Sequence, residues 1–241
     1  MSGSRGAFQP YDKAQAACYL AERFARLPWS VADEREKAAV ARLAAKFSPR
    51  LALDLACGTA RMASAVRNAP VVAADASEAM LRESAGATGG DKLLVRADAF
   101  ALPFKSGAFD MVICFRFLRH LDAAKRSAAL AEIRRVLATG GRLVFDALNA
   151  KMGAFDARCA SCNERRIHDE RYTPRSLRRE LEECGFEAGS LIPVMRHLRA
   201  YHLANAAGRG RLAALRRKFI AVGERVPSRF PFSWVATARR M

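Results

Sequence analysis

Three acidic residues stand at or near the ends of three successive apolar runs: Asp54 in LALDLACGTA, Asp75 in PVVAAD and Asp98 in KLLVRAD. A carboxylate where Asp75 stands, 21 residues beyond Asp54, can accept two hydrogen bonds from a ribose diol. Asp98 is placed to meet the edge of a base, with Ala99 and Phe100 supplying apolar surface beside it. After the first run come Ala56, Cys57, Gly58, Thr59 and Ala60. Small residues there let the backbone bend tightly and approach a ligand, and the next segment offers unpaired N–H groups. Any one of these acids alone reads as a helix cap; three around one glycine turn point to a shared site. The three small positions are Ala56, Gly58 and Ala60 rather than the three glycines of GxGxxG, which argues against NAD or FAD, and no GxxxxGK[ST] loop is present.

Proton chemistry near neutral pH points to histidine, of which there are four: His120, His168, His197 and His202. His120, in FRFLRHL, follows the fourth apolar run and is the best-placed base. Arg116 and Arg119 lie close by, and Arg116 is suited to clamp a carboxylate or phosphate. His197 and Tyr201 share one helical face. Cys159 and Cys162, with His168 six residues on, have partial metal-ligand spacing; the fourth ligand is missing unless Cys184 supplies it, so reduced thiols in a loop and no metal are expected.

The elements that would position these residues alternate. Five runs of five to seven residues (50–56, 70–75, 92–98, 109–115 and 141–147) are apolar on both faces and end in turn residues, as strands of a parallel sheet do. Helical spacing occupies Ala14 to Arg26, Asp33 to Phe47, Ser64 to Asn68, Ser77 to Ser84 and Ala123 to Leu137, the last expected to end at Gly140 and Gly141. Thr173 and Pro174 open a helix running from Ser176 to Cys184; strands follow over Phe186 to Met195 and Phe232 to Ala238. The expectation is an α/β fold: a doubly wound, Rossmann-like, mostly parallel seven-stranded sheet. It divides the chain into an N-terminal helical lid (1–48), a core (49–195 and 230–241) and a helical insertion before the last strand (196–229).

The chain of 241 residues has 41 Lys+Arg against 24 Asp+Glu, a net charge of +17. The insertion carries nine basic residues and one acid, Glu224, close to half that excess. Codon bias toward arginine in an alanine-rich chain is one account; an anionic partner (nucleic acid, an acidic lipid surface, or a phosphorylated or carboxylated substrate) is the other. No apolar stretch approaches the roughly twenty residues of a membrane-spanning helix. The opening residues lack the apolar core of a secretion signal, and six cysteines without one argue against a disulfide framework, so a cytoplasmic protein is expected.

Five pieces, DLACGTA (54–60), VVAADASEAML (71–81), the stretch 96–121, EIRRVLATGGRLVF (132–145) and YTPRSLRRELEECGFE (172–187), follow one another in a known order and spacing. In these the chain resembles the class I S-adenosylmethionine-dependent methyltransferases, specifically the small-molecule branch that includes quinone-biosynthesis methylases. The likeness covers roughly residues 45–190 and departs from the family at Ala56 and Ala60, where glycine is commoner. It implies that the turn of Asp54, Ala56, Cys57 and Gly58 passes the methionine part of S-adenosylmethionine, with Asp54 toward its amino group. It gives the ribose hydroxyls to Asp75, the adenine surroundings to Ala76 and Met80, and the adenine amino group to Asp98 between Ala99 and Phe100. Cys114, Phe115 and Arg116 would border the methyl-transfer centre, and Tyr11 and Tyr19 would belong to a lid. The implied activity is methyl transfer to O, N or C of a small, anionic metabolite, leaving S-adenosylhomocysteine. Methylation of RNA is an alternative motivated by charge, although no Asn/Asp-Pro-Pro-aromatic tetrapeptide follows the fourth run. A non-catalytic cofactor-binding protein that uses its basic cap to hold a partner or an acidic membrane is another. The sequence leaves the oligomeric state open.

Overall fold

The protein is described by a computed structural model over residues 29–87, 93–152, 169–198, 201, 213–228 and 230–241. The sheet begins with β1 (Ala52–Leu55), all four of whose residues are buried, because helices cover both of its faces. Strands β2 (Val71–Asp75), β3 (Leu93–Arg96), β4 (Phe109–Cys114), β5 (Leu137–Asn149), β6 (Arg171–Tyr172), β7 (Phe186–Val194) and β8 (Ser233–Arg240) complete it. The order is β3-β2-β1-β4-β5-β8-β7, with β8 antiparallel to both neighbours and the first five strands parallel. The strand order therefore reverses between β1 and β4, the kind of switch point where ligands bind in open α/β sheets.

Alternate residues of each strand feed two cores. Ala52, Val71, Ala73, Met111, Ile113 and Val144 pack with α1 (Trp29–Phe47), through Val31, Ala39, Val40 and Leu43. The same core takes in Leu81 of α2 (Glu78–Ala87) and Ile220 of α5 (Ala213–Gly223). On the other face Leu53, Leu55, Val112, Leu143 and Phe145 meet α3 (Ala123–Val136) and α4 (Pro174–Glu183), through Leu130, Ile133, Leu177 and Leu181. Both helices on this second face begin on side-chain caps. Asp122 accepts from the N–H of Lys125 at the head of α3, and Thr173 and Ser176 form a reciprocal capping box at the head of α4.

The doubly wound architecture is as expected from sequence, with three differences in detail. The sheet has eight strands, because the two residues of β6 pair with Leu148 and Asn149 of β5. Strand β8 already holds one edge of β5 as far as Leu148, so β6 takes the other edge, which β4 leaves free beyond Phe145. Second, α3 stops at Val136 and the chain turns extended at Leu137, which pairs with Phe109. Gly140 and Gly141 lie inside β5, where the register with β4 shifts, and do not end the helix; Gly140 sits at φ +77°. Third, only Ser64 and Ala65 of the expected helix at 64–68 are helical, within a single 3-10 turn over Ala63–Ala65. The helix expected over Ala14 to Arg26 lies outside the described residues.

Candidate active site

The parallel register places the ends of β1, β2 and β4 level with one another, Leu55 facing Ala74 on one side and Cys114 on the other. The turn after β1 therefore opens between the ends of its two neighbours. Its backbone enters the left-handed region three times in alternation, at Ala56 (φ 53°), Gly58 (φ 54°) and Ala60 (φ 53°). These are the three small positions singled out in the sequence. Only glycine adopts that conformation freely, and alanine costs about 1–2 kcal/mol there. Ala56 and Ala60 thus hold the same backbone path against a local penalty, the kind of strain that persists where surrounding contacts over-determine it.

Two carboxylates impose that path. Asp54, 2% exposed, lies beneath the turn and accepts the N–H of Ala63 at 2.8 Å, fixing the start of the 3-10 helix. Asp75, at the end of β2, accepts the N–H of Gly58 through Oδ2 and that of Ser77 through Oδ1, both at 2.8 Å. Burial raises the Asp75 pKa above the ordinary carboxylate value, only partly offset by the N–H groups of Ser77, Gly58 and Ala76. An ionised carboxylate has about four lone-pair sites. The backbone donors leave Asp75 acceptor capacity to spare, which a ribose hydroxyl can use.

The turn is further locked from α1. Arg61, 8% exposed, reaches Asp33 at 2.5 Å and Glu36 at 2.8 Å, and its guanidinium lies 6.0 Å from the centre of the Phe115 ring. Burial works against the Arg61 cation, but Glu36 and Asp33 outweigh it and hold its pKa above the ordinary arginine value. Removing one partner of such a triad would leave a buried charge uncompensated.

Asp98 follows β3 and is exposed; its carboxylate accepts the N–H of Phe100 at 2.9 Å in a tight local turn. Ala99 is buried below, and Phe100, 38% exposed, packs against Phe117 with ring centres 6.2 Å apart. Ala76 is exposed at the end of β2, while Met80 is buried in the first turn of α2. Cys57 and Cys114 are both buried thiols. Burial, then Asp54 and Asp75, drive the Cys57 pKa far up; burial, then Asp146 and Asp54, do the same for Cys114. Both act as small hydrophobes rather than nucleophiles.

At the end of β4, Phe115 is buried and Arg116 is half-buried at φ 58°, its N–H donated to Asp146 Oδ1 at 2.6 Å. Arg119 stands between Asp146 at 3.4 Å and Asp169 at 3.5 Å, and His120 Nδ1 lies 3.0 Å from Asp169 Oδ1. Burial alone would raise the Asp169 pKa, but the His120 hydrogen bond and the Arg119 charge outweigh it and hold the group below the usual range. The structure thus gives His120 a carboxylate that orients its ring, and places Arg119 between β5 and the segment that precedes β6.

His197 and Tyr201 share a face as expected, with ring centres 6.3 Å apart. His197 Nε2 lies 3.2 Å from the Val226 carbonyl, and Tyr201 donates to Glu224 at 2.6 Å, so both build the insertion itself. Tyr11, Tyr19, Cys159, Cys162, His168 and His202 lie outside the described residues.

Sequence reasoning missed Arg61, Asp33, Glu36, Asp146 and Asp169. The acids of α1 were visible as a charged stretch, but nothing local linked Asp33 and Glu36 to an arginine 28 and 25 residues away. It also missed Thr59, whose buried Oγ1 has no hydrogen-bond partner among the described residues. Above the turn, a β-carbon on Gly58 would meet no atom within 4 Å. An unpartnered hydroxyl, open space over the turn and spare acceptor capacity on Asp75 fit an adenosyl cofactor bearing an amino acid tail.

Residues 53–145 match the sequence family described as Methyltransferase domain. The chain is 44% identical over 121 residues to a demethylmenaquinone methyltransferase of Thermus thermophilus, covering 47% of this chain and 54% of that protein. It is 38% identical over 145 residues to the demethylmenaquinone methyltransferase of Thermobifida fusca, covering 56% and 60%. The chain therefore matches little more than half the length of these relatives. Among solved structures, a possible histamine N-methyltransferase from Thermotoga maritima aligns with TM-score 0.62 at 17% identity, over 95% of each chain. Magnesium protoporphyrin IX methyltransferase from Synechocystis, solved with bound SAH, aligns with TM-score 0.59 at 17% identity, over 98% of this chain and 90% of that one. These two show the fold. Over residues 53–145 the chain is thus similar to a methyltransferase domain, and its sheet order is carried on the same fold as these two structures.

Proposed function

We propose that the protein transfers a methyl group from S-adenosylmethionine to O, N or C of a small metabolite in the cytoplasm. The observation that carries this reading is the strained turn Ala56–Ala60 clasped by the Asp75 carboxylate, inside a segment that matches a methyltransferase family. The cofactor supplies a methyl group already activated on a sulfonium, so the protein's task is positioning rather than covalent assistance.

Asp75 holds the ribose hydroxyls, and Asp98 with Ala99, Phe100, Ala76 and Met80 surrounds the adenine. The Cys57–Gly58 backbone and Thr59 face the amino acid tail, while Asp54 shapes the turn from below. Cys114 and Phe115 make an apolar, water-poor wall beside the acceptor. Arg116 and the basic balance of the chain support an anionic group on that acceptor. Where the acceptor has a proton to lose, His120 takes it, its ring oriented by Asp169. The demethylmenaquinone methyltransferase relatives support an acceptor of quinone type. Unpaired thiols at Cys57, Cys114 and Cys184 support a reducing compartment.

The test is incubation of the purified protein with methyl-labelled S-adenosylmethionine and a lysate separated into small molecules and RNA. Label is expected in the small-molecule fraction. Label in RNA alone would establish the charge-motivated alternative. Cofactor binding without transfer to either fraction would leave a binding protein in place of an enzyme.

A further inference from the structure

Helix α5 is amphipathic in an unusual sense, because the face it turns outward is apolar. Leu215, Phe219 and Val222 are 63%, 55% and 59% exposed, and Val226, in the turn that follows, is 51% exposed. Their spacing of four, three and four residues puts them on one narrow stripe. The opposite face is already committed to the protein. Ile220 is fully buried in the core beside α1, the Ala221 carbonyl accepts from the Arg35 guanidinium at 2.9 Å, and Arg217 pairs with Glu34. Rotating the helix to hide its apolar stripe would break all three contacts, so the stripe is held outward.

Charge accompanies it. Lys218 and Arg225 are exposed and flank the stripe on one side. The single acid of the insertion, Glu224, faces inward: it is 6% exposed and accepts from the N–H groups of Met195 and Arg196 at 3.1 and 2.6 Å and from the Tyr201 hydroxyl. The described part of the insertion therefore offers its surroundings apolar and cationic side chains, and the one acid in the sequence of 196–229 is turned inward.

We propose that α5 and the turn after it form an interfacial docking surface for an anionic phospholipid bilayer. The apolar stripe enters the boundary of headgroups and acyl chains while Lys218 and Arg225 meet lipid phosphates. Both halves of the surface are then used. A second copy of the chain would place two basic faces against each other, and RNA would leave the apolar stripe in water. The insertion leaves the sheet after Val194 and re-enters at Ser233; these two pair with each other, and Ser233 pairs with Leu148 near the end of β5, so the insertion rises from the end of the sheet that carries Asp75 and Asp98. This docking does not depend on methyl transfer and is read without it.

The full chain is tested by flotation with phosphatidylcholine vesicles, with and without phosphatidylglycerol as a third of the lipid. Binding is expected to the anionic vesicles and to weaken strongly in about 1 M salt, where the Debye length falls to about 3 Å. The variants Phe219→Ser/Val222→Ser and Lys218→Glu/Arg225→Glu are each expected to bind these vesicles about tenfold or more weakly, since transfer of apolar area and phosphate attraction both contribute. Their thermal unfolding should match the parent, the replaced side chains being exposed. A Phe219→Trp variant should show blue-shifted emission on anionic vesicles alone. The proposal is overturned by a parent chain that stays unbound by anionic vesicles, or by variants that bind as the parent does. Concentration-dependent dimerisation that the serine variant abolishes, without vesicle binding, would assign the stripe to a second copy instead.

Discussion

Replacing Asp75 by asparagine changes one oxygen to an NH2 group while leaving the shape of the side chain nearly intact. In the parent, Oδ2 receives the Gly58 N–H and Oδ1 the Ser77 N–H, each at 2.8 Å. Asparagine has one acceptor oxygen, so in either orientation its NH2 faces one of those backbone donors, and one ribose hydroxyl loses its charged partner. A hydrogen bond to a charged group contributes about 1.5–3 kcal/mol, so the dissociation constant for S-adenosylmethionine should rise roughly 10- to 150-fold. Isothermal titration calorimetry of parent and variant, with the cofactor and with S-adenosylhomocysteine, measures this directly. A second signature separates the site from a merely structural role. The Asp75 pKa is raised by burial, so parent affinity should fall on acidification at a higher pH than an ordinary carboxylate would dictate. The asparagine variant should lack that dependence. The sign for stability is opposite: with its folded pKa above the unfolded one, Asp75 destabilises the fold when ionised, and that cost is relieved as pH falls through the folded value. A folded Asp75→Asn protein that binds both ligands within twofold of the parent would refute the ribose assignment.

Two further expectations concern the frame around the site. Ala56→Gly removes a side chain from a left-handed position where it is only half-buried. Relief of about 1–2 kcal/mol of strain, less about 0.5–1 for the greater freedom of unfolded glycine, should raise stability by about 1 kcal/mol. Thermal unfolding should then rise by about 2–4 °C. Asp169, whose folded pKa is depressed by His120 and Arg119 against the effect of burial, contributes stability above its unfolded pKa of about 3.9 that is lost as pH falls through the lower folded value. Urea titrations across that window should show a shallower acid loss in Asp169→Asn than in the parent, and equal slopes would remove the network from the account.

Strand ends and the small-residue turn were legible in the sequence because both are local: buried parallel strands read as continuous apolar runs, and a carboxylate at a run's end is visible without neighbours. The departure at Ala56 and Ala60, which in sequence weakens the likeness, proves in the structure to be left-handed backbone held with alanine. The boundary between α3 and β5 was misread for a physical reason. Leu137 continues the apolar spacing of the helix, and Gly140 with Gly141 imitates a helix stop, but pairing of Leu137 with Phe109 wins three residues earlier. The ion-pair network joining Arg119 to Asp146 and Asp169, and Arg61 to Asp33 and Glu36, was not legible at all. Its members lie far apart in the chain, and spacing carries no information about partners brought together only by the sheet.

The stem of the insertion has a consequence for how such a protein diversifies. Val194 and Ser233 are cross-strand partners, and the Phe232 N–H returns to the Met195 carbonyl at 3.0 Å, so more than thirty intervening residues enter and leave the sheet side by side. Adjacent strands are only about 4.8 Å apart, a gap that a tight hairpin spans. Changes in the length of the segment can therefore be absorbed at its stem without shifting the register of β5 and β8, provided that Leu198, Tyr201 and Ile220, which pack into the core beside α1, are kept or replaced in kind.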